Sequence, residues 1–320
     1  MPEVERMEFA VIGAGTAGLV AGMYAGRQTL KTVVFEHKLP GGLGLLAGEV
    51  ENYPGFLKIS GPDLMQKLLE HAEASGAVVK SGVAVKKIEK KTDTSFIITT
   101  EGDGDKVYEA KAILITTGGD HRKLGVPGEE RLAGLGVSYC AICDGFFFKK
   151  KRVIVVGGGN SAVDAAVYLA DLCTEVYLSY RGDKFNRPEP VLVQRLEKSK
   201  VKVLFNTDVL AVQGTEKVSG VKLKNNKDGT EQVVEVDGVF VEIGSVPATE
   251  LAKSLGCEIK GNYIHLADRD DPVTNVPGVY AAGDVTGGIK QFVTGAGDGC
   301  RAAIRAYNYI RGAEVSETWK

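Results

Sequence analysis

Residues 8–12 form a short apolar run that passes directly into a glycine cluster, after which Ala17, Leu19, Val20, Met23 and Tyr24 recur at helical spacing up to Gln28. Residues 31–36 are again β-branched and end in an acid, so the pattern predicts strand, glycine turn, helix, strand. The same order returns in 152–156, a second glycine cluster, a helix through about Leu172 and a strand over 175–180. From Gly13 to Gly157 the offset is 144 residues, which marks an internal repeat of two dinucleotide folds.

Short alternating strands follow each unit, at 95–100 and 107–109 in the first half and at 220–224 and 232–236 in the second. They predict a β-meander covering one side of each parallel sheet. Both halves close on an apolar strand ending in glycine, 112–118 and 238–244, and a last helix is expected from about Gly295. The expected fold class is therefore α/β, with two Rossmann-like dinucleotide-binding domains, each with a β-meander, the second inserted into the first. Residues 1–119 and 247–320 form one discontinuous domain and 120–246 the other. Gly118-Gly119 and Ser245-Val246-Pro247 are the expected hinges, where glycine and proline punctuate an exposed connection.

Composition narrows the function classes. With 320 residues, 44% hydrophobic, 25% charged and a formal net charge of −2, the chain can bury a sizeable core and shows no basic stripe suited to nucleic acid. The run Lys149-Lys150-Lys151-Arg152 reads as a solvated turn ahead of a strand. No apolar stretch approaches the ~20 residues a membrane span needs, and the acidic N-terminus lacks a signal-peptide core, so no membrane partner and a cytoplasmic location are expected. Five cysteines with one close pair point to redox chemistry in a reducing compartment.

In the first turn Gly13 permits the tight bend, Gly15 lets backbone amides reach a pyrophosphate beside Thr16 and Ala17, and Gly18 lets helix and strand pack closely. Glu36 lies 21 residues after Gly15, where a carboxylate accepts hydrogen bonds from a ribose; His37 follows it and would border the adenine. The second turn, Gly157-Gly158-Gly159-Asn160-Ser161-Ala162, obeys the same rules, but the repeat offset places Tyr180 where the acid would stand. Loss of the acid beside Arg181 favours a ribose bearing a 2′-phosphate, so this site leans towards NADPH over NADH.

Cys140-Ala141-Ile142-Cys143-Asp144 lies between the two turns. A structural zinc half-site, an inert buried pair and a redox dithiol are the alternatives. No second Cys-x-x-Cys or histidine pair completes a zinc site. The pair is expected ahead of a strand and outside any helix, with Asp144 placed to pass a proton as a thiolate forms or is discharged. Cys173, Cys257 and Cys300 read as small hydrophobes, and His71, His121 and His265 receive no role.

Over roughly residues 7–312 the chain resembles the low-molecular-weight thioredoxin reductases. The likeness rests on the Cys140–Asp144 pentapeptide after Ser138-Tyr139, on Glu51-Asn52-Tyr53-Pro54-Gly55-Phe56, on Thr116-Thr117-Gly118 and on the block from Thr274 through Gly283 to Asp284. The resemblance implies FAD in the first domain, with pyrophosphate at Gly13 to Ala17, ribose at Glu36, adenine near Val85 and isoalloxazine near Gly42, Leu43 and Asn52. It implies that Asp284 holds the ribityl chain while Gln291 and Phe292 cap the flavin. It also implies that Cys143 is nearest the flavin, Cys140 attacks a thioredoxin-like protein disulfide, Asp144 is the acid/base, and the protein is a homodimer whose inner domain rotates.

Departures from the family pattern fall at the second nucleotide site. Where the family shows His-Arg-Arg-Asp-x-Phe-Arg, this chain has Tyr180-Arg181-Gly182-Asp183-Lys184-Phe185-Asn186-Arg187, so one arginine is kept, one has become glycine and Arg187 is displaced by a position. Asn160 stands where an acid is frequent, Leu43 where glutamine is, and Lys290 where arginine is usual. These changes leave room for a reduced deazaflavin or ferredoxin as donor. From another class, an FAD-binding redox sensor would become reduced once and stop.

Overall fold

The computed structural model describes residues 4–47, 49–104, 106–185 and 187–312. The chain divides into two units, Met1–Asp120 with Pro247–Lys320, and His121–Val246.

In the first unit five parallel strands lie in the order Val279–Ala281, Ala112–Ile115, Phe9–Ile12, Thr32–Glu36 and Val78–Ser81. Phe9–Ile12 and Ala112–Ile115 are buried at every position, as central parallel strands covered on both faces require. Val279–Ala281, late in the chain, supplies the fifth strand. A second sheet of four strands, Val4–Arg6, Val107–Ala110, Ser95–Glu101 and Ala84–Thr92, forms the meander. Its core side chains include Phe96, Ile98 and Tyr108, and Phe35 of the parallel sheet meets Tyr108 edge to face at 5.1 Å between centroids.

Helices Thr16–Arg27 and Phe292–Arg311 pack backbone to backbone. A Cβ on Gly299 would lie 2.1 Å from the Ala17 carbonyl oxygen, and Gly295, Ala302, Ala303 and Ala306 continue this buried small-residue stripe. The last helix begins at Phe292, earlier than the glycine from which its spacing was read. The cause is a capping box, in which the Gln291 side chain accepts from the third-residue amide and the Thr294 hydroxyl accepts from the Gln291 amide.

The second unit has five parallel strands in the order Val137–Ser138, Gly238–Val241, Arg152–Val156, Glu175–Tyr180 and Lys202–Phe205; the last four repeat the order of the first unit, while the edge strand here precedes the glycine turn in the chain. Its meander is Thr207–Gln213, Gly220–Asn225 and Glu231–Val234, antiparallel throughout. The helix Asn160–Leu172 fills the core with Ala162, Val163, Ala166 and Leu169. The connecting segments Gly119–His121 and Ser245–Pro247 are hydrogen-bonded to each other as a two-stranded ribbon. Among the described residues no helix is long and apolar enough to cross a membrane.

Candidate functional site

The first turn is built by close packing behind it and open space in front of it. Gly13 has φ 107°, and a Cβ there would come within 2.4 Å of the Thr116 carbonyl oxygen; a Cβ on Gly18 would lie 1.9 Å from the Gly13 carbonyl oxygen. Gly15 has nothing within 4 Å of its Cβ position. It caps helix Thr16–Arg27 without a side-chain bond and no acid lies in the first turn, so the helix amides are left for an anion. Thr116 donates its hydroxyl to the Ile12 and Gly13 carbonyls at 3.0 and 2.8 Å and so pins the turn.

Glu36 is buried at the end of its strand. Its Oε2 accepts the Ala14 amide and its Oε1 the Lys38 amide, both at 2.9 Å, and His37 Nδ1 lies 2.9 Å from the same Oε1. The carboxylate is thus held on the glycine turn itself. The Gly42 Cα approaches Gly15 closely, its Cβ position 3.4 Å from the Gly15 Cα; Leu43, in the short 3-10 helix Gly42–Leu46, is exposed. Val85 pairs with Thr100 and packs, half-buried, on the core.

Asn52 Nδ2 donates to Gln291 Oε1 at 3.1 Å, joining two loops 239 residues apart, while Phe292 packs on the Leu64 and Met65 cluster. Gly283 has φ 76° and lies against Ala17, followed by Asp284, half-buried. Burial raises the Asp284 carboxyl above its ordinary range and Asp298 adds to this, against the pull of Lys290. Lys290 itself is exposed, its ammonium 5.2 Å above the Tyr263 ring. Gly118, at φ 57°, accepts the Ala248 amide at 3.1 Å. The open Gly15 turn, the carboxylate on Ala14 and the partly dehydrated Asp284 together suit a flavin dinucleotide.

In the second unit Cys140 and Cys143 are joined as a disulfide, Cα to Cα 5.4 Å. The expectation that the pair lies outside a helix is corrected: Cys140 caps a one-turn helix, Ala141–Asp144, and the Cys143 amide donates to Cys140 Sγ at 3.0 Å. A three-residue spacing closes one helical turn, which brings both sulfurs to the same edge. Cys140 is buried, Cys143 exposed and Asp144 half-buried. The segment ahead of the pair is anchored by Ser138, which accepts the Cys140 amide at 3.0 Å, and by Tyr139, which donates to buried Glu129 at 3.0 Å and stacks on His121. Phe146 and Phe147 beyond it are exposed.

Sequence reasoning missed Glu242, the one charged residue in the apolar run 238–244, a signal that could have found it. Its carboxyl accepts the Ala141 amide, between the two cysteines. Burial first and the Asp164 charge second push its pKa from 4.5 up to about 8, the amide pulling the other way.

Gly157, at φ 153°, lies with its Cβ position 2.2 Å from the Glu242 carbonyl oxygen, and buried Ala162 packs behind the turn. Gly159 has nothing within 4 Å of its Cβ position, which leaves room for a pyrophosphate. Asn160 exchanges hydrogen bonds with Glu189, at 3.2 Å to its carboxylate and 2.8 Å from its amide. Ser161, Arg181 and Arg187 are exposed, and Gly182, next to Arg181, is half-buried. Asn186 lies outside the described residues.

The sequence profile of the pyridine nucleotide-disulphide oxidoreductases matches residues 7–299. The chain is 42% identical to the thioredoxin reductase of Listeria innocua over 310 residues, covering 96% of this chain and 95% of that protein. Among solved structures it is similar to the thioredoxin reductase of T. acidophilum, at 39% identity and a TM-score of 0.90 over 95% of this chain and 98% of that one. The thioredoxin reductase of Lactococcus lactis in its FR conformation has 36% identity and a TM-score of 0.90, with 96% and 99% covered. Thioredoxin reductases of this family are oxidoreductases that use FAD and NADPH. A disulfide at the Cys-x-x-Cys, two glycine-turn units that share the order of four parallel strands, and near-complete coverage agree: the chain belongs to the pyridine nucleotide-disulphide oxidoreductase family, among its low-molecular-weight thioredoxin reductases.

Proposed function

We propose that this protein is a thioredoxin-disulfide reductase that passes electrons from a reduced nicotinamide, through FAD and the Cys140/Cys143 dithiol, to a disulfide of a thioredoxin-like protein. The disulfide at Cys140 and Cys143 carries the reading. Gly13, Gly15, Thr16 and Ala17 hold the FAD pyrophosphate on a helix N-terminus, Glu36 its ribose, and His37 and Val85 border its adenine. Gly42, Leu43, Asn52, Gly118, Lys290, Gln291 and Phe292 surround the ring system, with Gly283 and Asp284 at the ribityl chain. The flavin supplies a two-electron station between donor and disulfide.

Gly157, Gly159, Asn160, Ser161 and Ala162 receive the nicotinamide dinucleotide, with Arg181 and Arg187 on its 2′-phosphate. Reduction of the disulfide takes two electrons and two protons, and Asp144, next to Cys143 in sequence, passes a proton as a thiolate forms or is discharged. The Cys140 thiolate attacks the partner disulfide, forms a mixed disulfide and releases one partner thiolate, which is protonated. Cys143 then resolves it, releasing the second thiol and restoring the Cys140–Cys143 bond. Cys140 is buried in this conformation, so the attack includes a movement that exposes it. The protein acts as a homodimer in the cytoplasm, with no nucleic-acid or membrane partner.

The change at Tyr180-Arg181-Gly182 favours a second reading, the same reductase fed by a reduced deazaflavin or ferredoxin. Anaerobic bleaching of the flavin, titrated in parallel with NADPH, NADH and a reduced deazaflavin, separates the two. Fast bleaching by NADPH followed by turnover of an oxidised thioredoxin supports the first. Bleaching by the deazaflavin alone replaces its donor.

A further inference from the structure

The internal repeat allows the two nucleotide sites to be compared position by position. Adding the 144-residue offset takes Ala14 to Gly158 and Glu36 to Tyr180. In the first unit the Glu36 carboxylate rests on the Ala14 amide at 2.9 Å, the place from which an acid at this strand end reaches a ribose. In the second, the Tyr180 ring occupies the equivalent place. A Cβ on Gly158 would lie 2.1 Å from Tyr180 Cε2 and 2.2 Å from Cδ2, so the ring covers this residue of the turn.

The other edge of the ring lies over Gly182, whose Cβ position is 2.7 Å from Tyr180 Cε1. Gly182 has no positive φ, so space, not backbone conformation, is what the glycine provides. Phe185 stacks on Tyr180 at 5.5 Å with 10° between planes, and Phe205 backs Phe185 at 5.0 Å. Tyr180 is thus seated between glycines and a second ring, while Arg181, Lys184 and Arg187 of the following segment are exposed.

We infer that Tyr180 is an affinity-limiting residue that fills the adenosine-ribose slot of the second fold, so that a pyridine nucleotide binds only by displacing its ring. This rests on the reading of that fold as the nicotinamide site. Gly182 is the residue that makes the inward ring possible, which ties loss of an arginine there to gain of the tyrosine. The ring acts on any adenosine ribose and leaves Arg181 and Arg187 in place, so it weakens NADP⁺ and NAD⁺ alike.

Calorimetric titration of the oxidised holoprotein with NADP⁺ and NAD⁺ tests this directly, in wild type, Tyr180→Ala and Phe185→Leu. Opening the slot is expected to tighten both nucleotides about tenfold, ~1.4 kcal/mol, with their ratio unchanged. Phe185→Leu, which removes only the stacking partner, shifts both in the same direction by less and carries the test should Tyr180→Ala lose its flavin absorbance. Weaker binding of both nucleotides in Tyr180→Ala overturns the inference, since the ring would then be a platform for the adenine. Absence of binding in all three proteins overturns it differently, by removing the nicotinamide site on which it rests.

Discussion

Glutamine at position 242 is the substitution whose consequence follows most directly from the geometry. It keeps an oxygen to accept the Ala141 amide and removes the ionisation. Because the folded Glu242 carboxyl is raised from 4.5 to about 8, the native state holds its proton more tightly than the unfolded chain does. Its contribution to stability is therefore complete below the unfolded value and is lost as pH rises through 8. Between those limits the native state binds one more proton, which costs about 1.4 kcal/mol of stability per pH unit. From pH 5.5 to pH 8 the stability of Glu242→Gln relative to wild type should rise by up to ~3 kcal/mol, an upper bound because the carboxyl is only partly enclosed. Urea unfolding followed by circular dichroism, with the disulfide kept oxidised and the two proteins compared at each pH, cancels the titrations they share. A difference that does not change with pH, or one that moves in favour of wild type as pH rises, would refute the placement of a dehydrated acid beside the cysteines.

Other consequences are as specific. Cys143→Ser should accumulate a mixed disulfide with an oxidised thioredoxin-like partner through Cys140 after reduction, visible by non-reducing gel, whereas trapping by Cys140→Ser instead would reverse the assigned roles. Gly299→Val forces a side chain into the Ala17 carbonyl, 2.1 Å from the Cβ position, and overpacking of this kind costs roughly 1–3 kcal/mol or more; calorimetry should show a lower melting temperature together with a lower flavin-to-protein absorbance ratio, because the displaced helix opens at the first glycine turn. Arg311 donates to both Glu8 oxygens and, as the leading cause, holds that carboxyl down at about 2. At pH 7 Arg311→Ala should lower stability slightly, an effect that is present above the ordinary carboxylate range and fades as pH falls from about 4.5 towards 2, which a urea series at pH 7 and pH 3 would resolve.

Much of the parallel core was legible because its signals are local. Runs such as Phe9–Ile12 and residues 153–156 are apolar at consecutive positions and lead into glycines whose packing leaves no room for a side chain, so pattern and geometry coincide. Glu36 was legible from its distance to Gly15, and the structure seats it on Ala14. The long strand Ala84–Thr92 was not, since six of its nine residues are exposed and its sequence is rich in lysine, which hides a meander strand from periodicity. The start of the last helix was misplaced because Phe292 and Val293 precede the small-residue stripe and only the Gln291–Thr294 capping pair marks the boundary. One-turn helix Ala141–Asp144 is too short to show any period. The Asn52–Gln291 bond has no local signal, because it joins segments distant in sequence, and the lone charge in the run 238–244 marks Glu242 but not its partner Ala141.

The central claim is that Cys140 and Cys143 exchange electrons with a bound flavin. An anaerobic dithionite titration of the holoprotein, read by flavin absorbance and by thiol counting, measures this most directly. Wild type should consume one two-electron equivalent for the flavin and a second for the disulfide, with two new thiols, while Cys140→Ser/Cys143→Ser should consume the first alone. Equal consumption by the two proteins, with no thiols released from the wild type, would contradict it.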